Sequence, residues 1–474
     1  MSLVEQPAER RVHSWTAKAF LGVIALTVLA YGSVAEAPLD LEVIAFALLA
    51  MLSLRYPVGS VAIGRLQAAT ILLLAGLLLY VALQTLPFAA GDFVNVAWKS
   101  VNELVGPVQG TISVSPGMTF DAIPTLAMPF LVFFCALALF QSDAEALRLW
   151  RALAYFGAAY AVLGILQELF FPEQLLLAQK KFYLGSLTAT FVNRNTAGTF
   201  FGVAFLLNLA LLFNSLRKIH IGSFINKTMA LDIGWRDKNA LVLLHVLFCL
   251  ITAVALFLTQ SRGAVGASFI GAVVGVILIA MRPLTADRPT QQFGRWRRYA
   301  IIFAGVLVVT GLFALFAGRS VYRMEAQGAE DARWCSFAST IEAITDHPFL
   351  GTGFGAFQDV FPAYRNADCA GIFGVWDRAH NFFLEGYLGL GLPFAVALVA
   401  GYAILIGVFV RGLRDRHRFR FIPVMGLTVL ILASLHSLVD FSLQIPGFAT
   451  YFAAIMASTA TISLGRNKEN HPWT

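Results

Sequence analysis

Residues 240–281 read ALVLLHVLFCLITAVALFLTQSRGAVGASFIGAVVGVILIAM. Two apolar runs, 239–259 and 264–281, flank the short polar step Gln260-Ser261-Arg262-Gly263. Each is close to the length of about 20 residues that a helix needs to cross the hydrocarbon layer of a bilayer. Working outward, runs of the same kind recur at roughly 19–35, 39–54, 66–86, 123–140, 152–170 and 190–214 on one side. On the other they fall at 299–317, 382–410, 421–441 and 447–464. Hydrophobic residues make up 58% of the 474-residue chain and charged residues 13%, against about 25% in soluble proteins. That balance leaves too little polar surface to dissolve a globule of this length. The expected fold is an all-α integral membrane protein with about 12 transmembrane helices.

The net charge of +7 is arranged as topology, not as a nucleic-acid surface. Alternate connections hold most of the 34 lysines and arginines: the N-terminus, 55–65, 141–151, 215–238, 282–298, 411–420 and the C-terminal tail. The positive-inside rule therefore puts both termini in the cytoplasm. Clusters such as Arg295, Arg297 and Arg298, or Arg411 to Arg420, are read as topology signals and contacts with membrane lipids. No nucleic-acid partner is expected. Ala35-Glu36-Ala37 after the first run resembles a signal-peptidase site, but a retained first helix fits the many later spans better.

The outer segments differ in size. Segments 87–122 and 318–381 are long, and long connections are usually functional or disordered. The second is rich in aromatics (Trp334, Phe349, Phe354, Phe357, Phe361, Tyr364, Trp376) and is expected to fold as a small helical cap on the periplasmic side. The chain thus divides into helices 1–5 over 1–185, helices 6–9 over 186–317, the large loop 318–381, and helices 10–12 with the tail over 382–474. Cys135 and Cys249 lie inside spans as small core residues. Cys335 and Cys369 share the large outer loop, where disulfides persist. A bridge between them would close about 34 residues and contribute on the order of 3–4 kcal/mol.

Ionisable residues at membrane depth are costly and are functional candidates by default. Three places stand out. In Asn193-Arg194-Asn195-Thr196, at the start of the sixth span, Asn193, Asn195 or Thr196 can cap a helix whose amino end favours an anion. Arg194 there is either a bidentate phosphate ligand or a side chain snorkelling to headgroups. Arg262, in the tight connection between the seventh and eighth spans, carries the same two readings, and Gly263 lets backbone approach a ligand. Two arginines at one depth, each at a helix start, favour a shared pyrophosphate. The third place is Asp377-Arg378-Ala379-His380-Asn381, after the large loop. Histidine is suited to proton transfer near neutral pH, yet a lone histidine at a helix start is equally a satisfied structural group. His436 and Asp440 are expected one turn apart on the eleventh span, supporting a ligand or holding helices together. Gly351-Thr352-Gly353-Phe354-Gly355 has the wrong spacing for a nucleotide loop and is read as a turn. No cysteine or histidine cluster has metal-ligand spacing, so neither metal nor cofactor is expected.

The run His347-Pro348-Phe349-Leu350-Gly351-Thr352-Gly353-Phe354-Gly355 is followed by Ala379-His380-Asn381-Phe382-Phe383-Leu384-Glu385 and Leu388-Gly389-Leu390-Gly391-Leu392-Pro393. Together these resemble the signature stretch of the bacterial O-antigen ligase/polymerase superfamily. Ser261-Arg262-Gly263 and Asn193-Arg194-Asn195 sit where that family also places arginines. The resemblance covers about residues 185–445.

It implies a membrane glycosyltransferase of the C type in the inner membrane. Its donor would be a glycan on undecaprenyl pyrophosphate and its acceptor a sugar hydroxyl at the periplasmic face. Arg194 and Arg262, with Arg378, would hold the pyrophosphate, and His380 would be the base of one inverting, metal-independent displacement. Asn193, Asn195, Asn381, His436 and Asp440 would support them. A Wzy-type polymerase would use a second lipid-linked repeat as acceptor, a ligase the lipid A core, and a third variant a protein hydroxyl. The outer loop 87–122 tilts the reading to the polymerase, which would add a chain-length regulator as a partner. A transporter or flippase would show inverted repeats and midplane charges, whereas these candidates gather toward one face.

Overall fold

The apolar runs that lie among the described residues are helices. In a computed structural model, which describes residues 7–88, 93–216, 237–280, 311, 332–366, 374–417 and 419–465, the chain is almost entirely α-helical. Among the described residues, eight helices are long and apolar enough to cross a membrane. These are Val61–Thr85, Pro116–Leu139, Asp143–Phe170, Arg194–Leu216, Ala240–Leu258, Arg262–Ile279, Leu392–Asp415 and Pro446–Leu464, with shorter apolar helices at Ser14–Leu29 and Phe421–Ser437. The expected second span corresponds to Glu36–Ser53. The ninth, 299–317, falls outside the described residues apart from residue 311.

Local chemistry sets the ends. Ser142 starts Asp143–Phe170 with a capping box, its hydroxyl accepting from the Glu145 N–H at 3.2 Å while the Glu145 carboxylate accepts from the Ser142 N–H at 3.1 Å. Ser60 caps Val61–Thr85 in the same sense, accepting from the Ile63 N–H at 3.2 Å.

The span expected at 382–410 is two helices, Phe382–Leu390 and Leu392–Asp415, and this corrects the sequence reading. Gly391 separates them at φ +62°. The break follows from a backbone docking. Thr352 and Gly353 donate to the carbonyls of Leu388 (2.8 Å) and Gly389 (3.1 Å), and Leu392 donates to Phe349 (2.9 Å). A Cβ on Gly351, itself at φ +68°, would stand 2.6 Å from the Gly389 oxygen, so only glycine permits the approach. Gln84 locks the junction from Val61–Thr85: its amide nitrogen donates to Leu350 O (3.0 Å) and Gly389 O (2.8 Å), and its oxygen accepts from the Phe354 N–H (3.2 Å).

Two compact units emerge. The first comprises Met1–Gln141, Glu325–Gly407 and Ser437–Ala457; the second comprises Ser142–Met324, Val408–His436 and Ser458–Thr474. In the first, the described part of the large outer loop holds the helices Ala332–Asp346 and Phe357–Tyr364. Phe357, Val360, Phe361, Ala379 and Leu388 form their core, with Trp376 packed against it. The smaller outer segment adds the helices Ala97–Val105 and Pro116–Asp121, where Trp98 Nε1 donates to Ser113 O at 3.0 Å.

In the second unit, Arg194–Leu216 is the buried centre, packed by Asp143–Phe170, Asp237–Leu258 and Arg262–Ala280. Tyr160, Phe191, Phe200 and Phe201 form an aromatic cluster with Tyr160 and Phe200 centroids 4.9 Å apart. Small residues bring the two arginine-bearing helices together: a Cβ on Gly198 would lie 2.7 Å from the Ala264 Cβ, and one on Gly202 would strike the Ser268 hydroxyl. The only strands among the described residues are Gln174–Leu175 and Ala178–Gln179, paired antiparallel in the loop after Asp143–Phe170.

Candidate functional site

The candidates fall into two clusters, one in each unit. In the second unit, Asn193 precedes the helix Arg194–Leu216, and its side-chain oxygen accepts from the Asn195 N–H at 2.8 Å. Of the three capping candidates, Asn193 therefore takes this role. Asn195 turns to the neighbouring helix start, accepting from the Ser261 hydroxyl at 2.8 Å, and Ser261 immediately precedes Arg262–Ala280. The bond ties two helix amino ends side by side, so both positive dipole ends and both arginines, Arg194 and Arg262, belong to one local assembly. Tyr183 lies against the Arg194 guanidinium, 5.3 Å from ring centroid to Cζ.

His436 is buried on Phe421–Ser437. Its Nδ1 is 2.6 Å from the Thr199 hydroxyl, and Thr199 donates in turn to the Asn195 carbonyl at 3.0 Å. The expected placing of His436 and Asp440 one turn apart on one helix is corrected: the helix ends at Ser437, and Asp440 lies beyond it. The polar turn before Gln444 stops the helical spacing on which that pairing relied.

In the first unit, His380 occupies the residue before a helix cap at φ +56°, a left-handed conformation costly for a side chain with a Cβ. Its ring packs edge-on against Trp376 (5.5 Å, 72°) and Phe441 (4.9 Å, 66°). Asn381 caps Phe382–Leu390, its oxygen accepting from the N–H groups of Phe383 (3.0 Å) and Leu384 (3.1 Å). The Asn381 amide nitrogen donates to Leu438 O at 2.9 Å. Arg333 reaches Val439 O at 3.2 Å, and the Ser442 hydroxyl donates to the buried Asp440 carboxylate. Asn381, through Leu438, and Phe441, against the imidazole, therefore bring the 438–442 segment, with Asp440 in it, to His380.

Glu385 is the residue that the sequence reading passed over. Its buried carboxylate accepts from the Ala379 N–H at 2.7 Å and from Arg378 Nη1 at 3.1 Å. Arg378, expected on the pyrophosphate, thus has a guanidinium nitrogen committed to Glu385. Burial raises the Glu385 carboxyl above the usual carboxylate range, while Arg378, the Ala379 N–H and Gln444 pull it down. An acid four residues after a capping asparagine was the available signal for this clamp. Thr199, four residues after Asn195, carried a similar one.

Cys335 lies on Ala332–Asp346 and is disulfide-bonded, whereas Cys135 and Cys249 are free and buried. Cys369 lies outside the described residues.

Residues 247–399 match the family model Wzy_C, described as O-antigen ligase. The matched stretch contains Arg262, Arg378, His380 and Asn381 and leaves Arg194, His436 and Asp440 outside it. No curated protein matches the chain.

Proposed function

We propose, from the match of residues 247–399 to the O-antigen ligase family model, that this chain transfers a glycan from undecaprenyl pyrophosphate to an acceptor sugar hydroxyl. In this reading it acts as a Wzy-type polymerase of O-antigen or exopolysaccharide. It works at the periplasmic face of a bacterial inner membrane, with both termini in the cytoplasm. The acceptor hydroxyl gives its proton to His380 while its oxygen attacks the anomeric carbon from the face opposite the leaving group. The anomeric carbon–oxygen bond breaks, and undecaprenyl pyrophosphate leaves with the bonding pair. One displacement inverts the configuration.

Arg194 and Arg262 hold the pyrophosphate and stabilise the charge that grows on it. The observation that carries the reading is the Asn195–Ser261 bond, which sets two helix amino ends and two arginines side by side. Such a pair suits a doubly phosphorylated leaving group, which needs no metal to depart in this scheme. Glu385 and Arg378 support His380 as a clamp on the strained 378–381 turn. Asn193, Asn195, Asn381, His436 and Asp440 position these groups, and a disulfide from Cys335 to Cys369 braces the loop. The partners are the lipid-linked donor, the glycan acceptor, membrane lipids and, for a polymerase, a chain-length regulator.

A ligase is the second reading, favoured by the description of the matched family. The lipopolysaccharide and lipid-linked glycan profile of a deletion strain separates the two. Loss of long chains with one capped repeat retained supports the polymerase. Unmodified core alone overturns it in favour of the ligase, and an unchanged profile overturns both.

A further inference from the structure

We propose that the hairpin 171–184, a connection in the second unit, is itself seated in the acyl-chain layer of the lipid bilayer. The hairpin begins where the span Asp143–Phe170 ends, and the chain enters the next span at Arg194. Covalent geometry therefore holds it at the boundary between water and lipid. A connection returning to water would turn polar side chains outward. This one turns large apolar side chains outward as well, among its exposed Glu173, Gln174, Gln179 and Lys181. Leu177 at its tip is 100% exposed, and Phe171, Phe182 and Leu184 are 58%, 63% and 60% exposed. Its Lys180 points inward, the ammonium lying 2.9 Å from the Glu168 carboxylate and 2.7 Å from Ser186 O.

Part of the hairpin's backbone is paired internally, which lowers the cost of an apolar surrounding. Lys180 donates to Glu173 O (2.8 Å), Gln174 to Phe171 O (3.0 Å), and the Gln167 amide to Gln174 O (2.7 Å). The two short strands pair across the turn at Leu176, whose φ of +50° throws Leu177 outward. Between the hairpin and the end of the span lies a cavity of about 440 Å³, lined mostly by Leu163, Leu166, Phe170, Phe171 and Leu176, with Gln167 and Gln174. Its apolar wall fits the chains of the bilayer. Lys181, exposed beside Phe182, is placed to reach headgroups from the same depth. Bilayer lipid is the occupant that these features fit, because both ends of the hairpin are already at the membrane.

The seating has a consequence for the arginines. Gly185 O accepts from Gln260 Nε2 at 2.7 Å, Leu187 donates to Leu258 O at 2.9 Å, and Tyr183 stacks on Arg194. The depth of the hairpin therefore sets the height at which Arg194 and Arg262 meet the lipid surface.

Spin labels on Leu177→Cys and Phe182→Cys test this in the full chain, with Cys135 and Cys249 replaced by alanine. The protein is reconstituted in vesicles of phosphatidylethanolamine and phosphatidylglycerol. Collision rates with oxygen, which concentrates in lipid, are compared with those of a water-soluble nickel chelate. Leu250→Cys, on an exposed face of a span, gives the lipid reference. The expected result is a several-fold excess of oxygen over nickel collisions at 177 and 182, matching the reference. Dominant nickel collisions would show a hairpin in water and overturn the proposal. Suppression of both reagents would show a face covered by protein, such as a second copy, and would overturn it equally.

Discussion

Replacing Glu385 with alanine removes the acceptor that holds the turn carrying His380. The Ala379 N–H is buried and bonds the carboxylate at 2.7 Å, so its loss costs about 1–3 kcal/mol. The Arg378 side chain is 34% exposed, so water replaces much of its 3.1 Å pairing, which adds on the order of 1 kcal/mol or less. The sum, about 1–4 kcal/mol, is of the same order as the 1–3 kcal/mol or so that a left-handed, non-glycine residue such as His380 stores in its backbone. Release of the clamp thus lets the turn relax. A shift of about 2 kcal/mol changes a conformer ratio roughly 30-fold. Turnover should fall about 10–100-fold in proteoliposomes supplied with lipid-linked donor, at unchanged protein abundance. Glu385→Gln keeps an oxygen for the Ala379 N–H and should retain more activity than the alanine variant. If Glu385 acts through His380, adding Glu385→Ala to His380→Ala should cost little more. Normal turnover of Glu385→Ala at normal abundance, or full additivity in the double variant, would refute the clamp.

His380→Asn tolerates the left-handed backbone but lacks a base, so it should fold normally and lose about 10²–10⁴-fold in turnover, read as product per mole of enzyme. A wild-type rate at normal membrane levels would remove His380 from the chemistry. Arg262→Ala should weaken both donor KM and kcat, and Arg262→Lys should rescue only in part, because an ammonium lacks the planar fork; full rescue by lysine would argue for a headgroup anchor. Gln84→Leu leaves the Phe354 N–H without its partner and takes one of two donors from the Leu350 and Gly389 carbonyls, so it should destabilise the protein by on the order of 1–3 kcal/mol, seen as a lower unfolding temperature in detergent; an unchanged midpoint would contradict the junction. Peptide mapping without reduction should recover Cys335 and Cys369 in one linked species, and separate free peptides would exclude the bridge.

Hydrophobic run length and the sidedness of lysine and arginine need no tertiary information, because a bilayer imposes both on each segment separately. The membrane class, most of the helices and the candidate arginines were therefore legible in the residues. A cap among Asn193, Asn195 and Thr196 and a turn at Gly351–Gly355 were legible for a related reason: each depends on a few neighbouring residues, and the glycines at φ +68°, +109° and +82° bear out the turn, while the structure chose Asn193 as the cap. The break at Gly391 was not legible. Leu388 to Pro393 reads as continuous apolar helix until the Phe349–Gly353 backbone, about 40 residues earlier, takes the hydrogen bonds. The same holds for Glu385 facing Ala379, for Thr199 meeting His436, and for Asn195 tying the Ser261 turn to its own helix. In each, a polar group inside an apolar body must find a partner, and which partner it finds depends on the packing of segments remote in the chain.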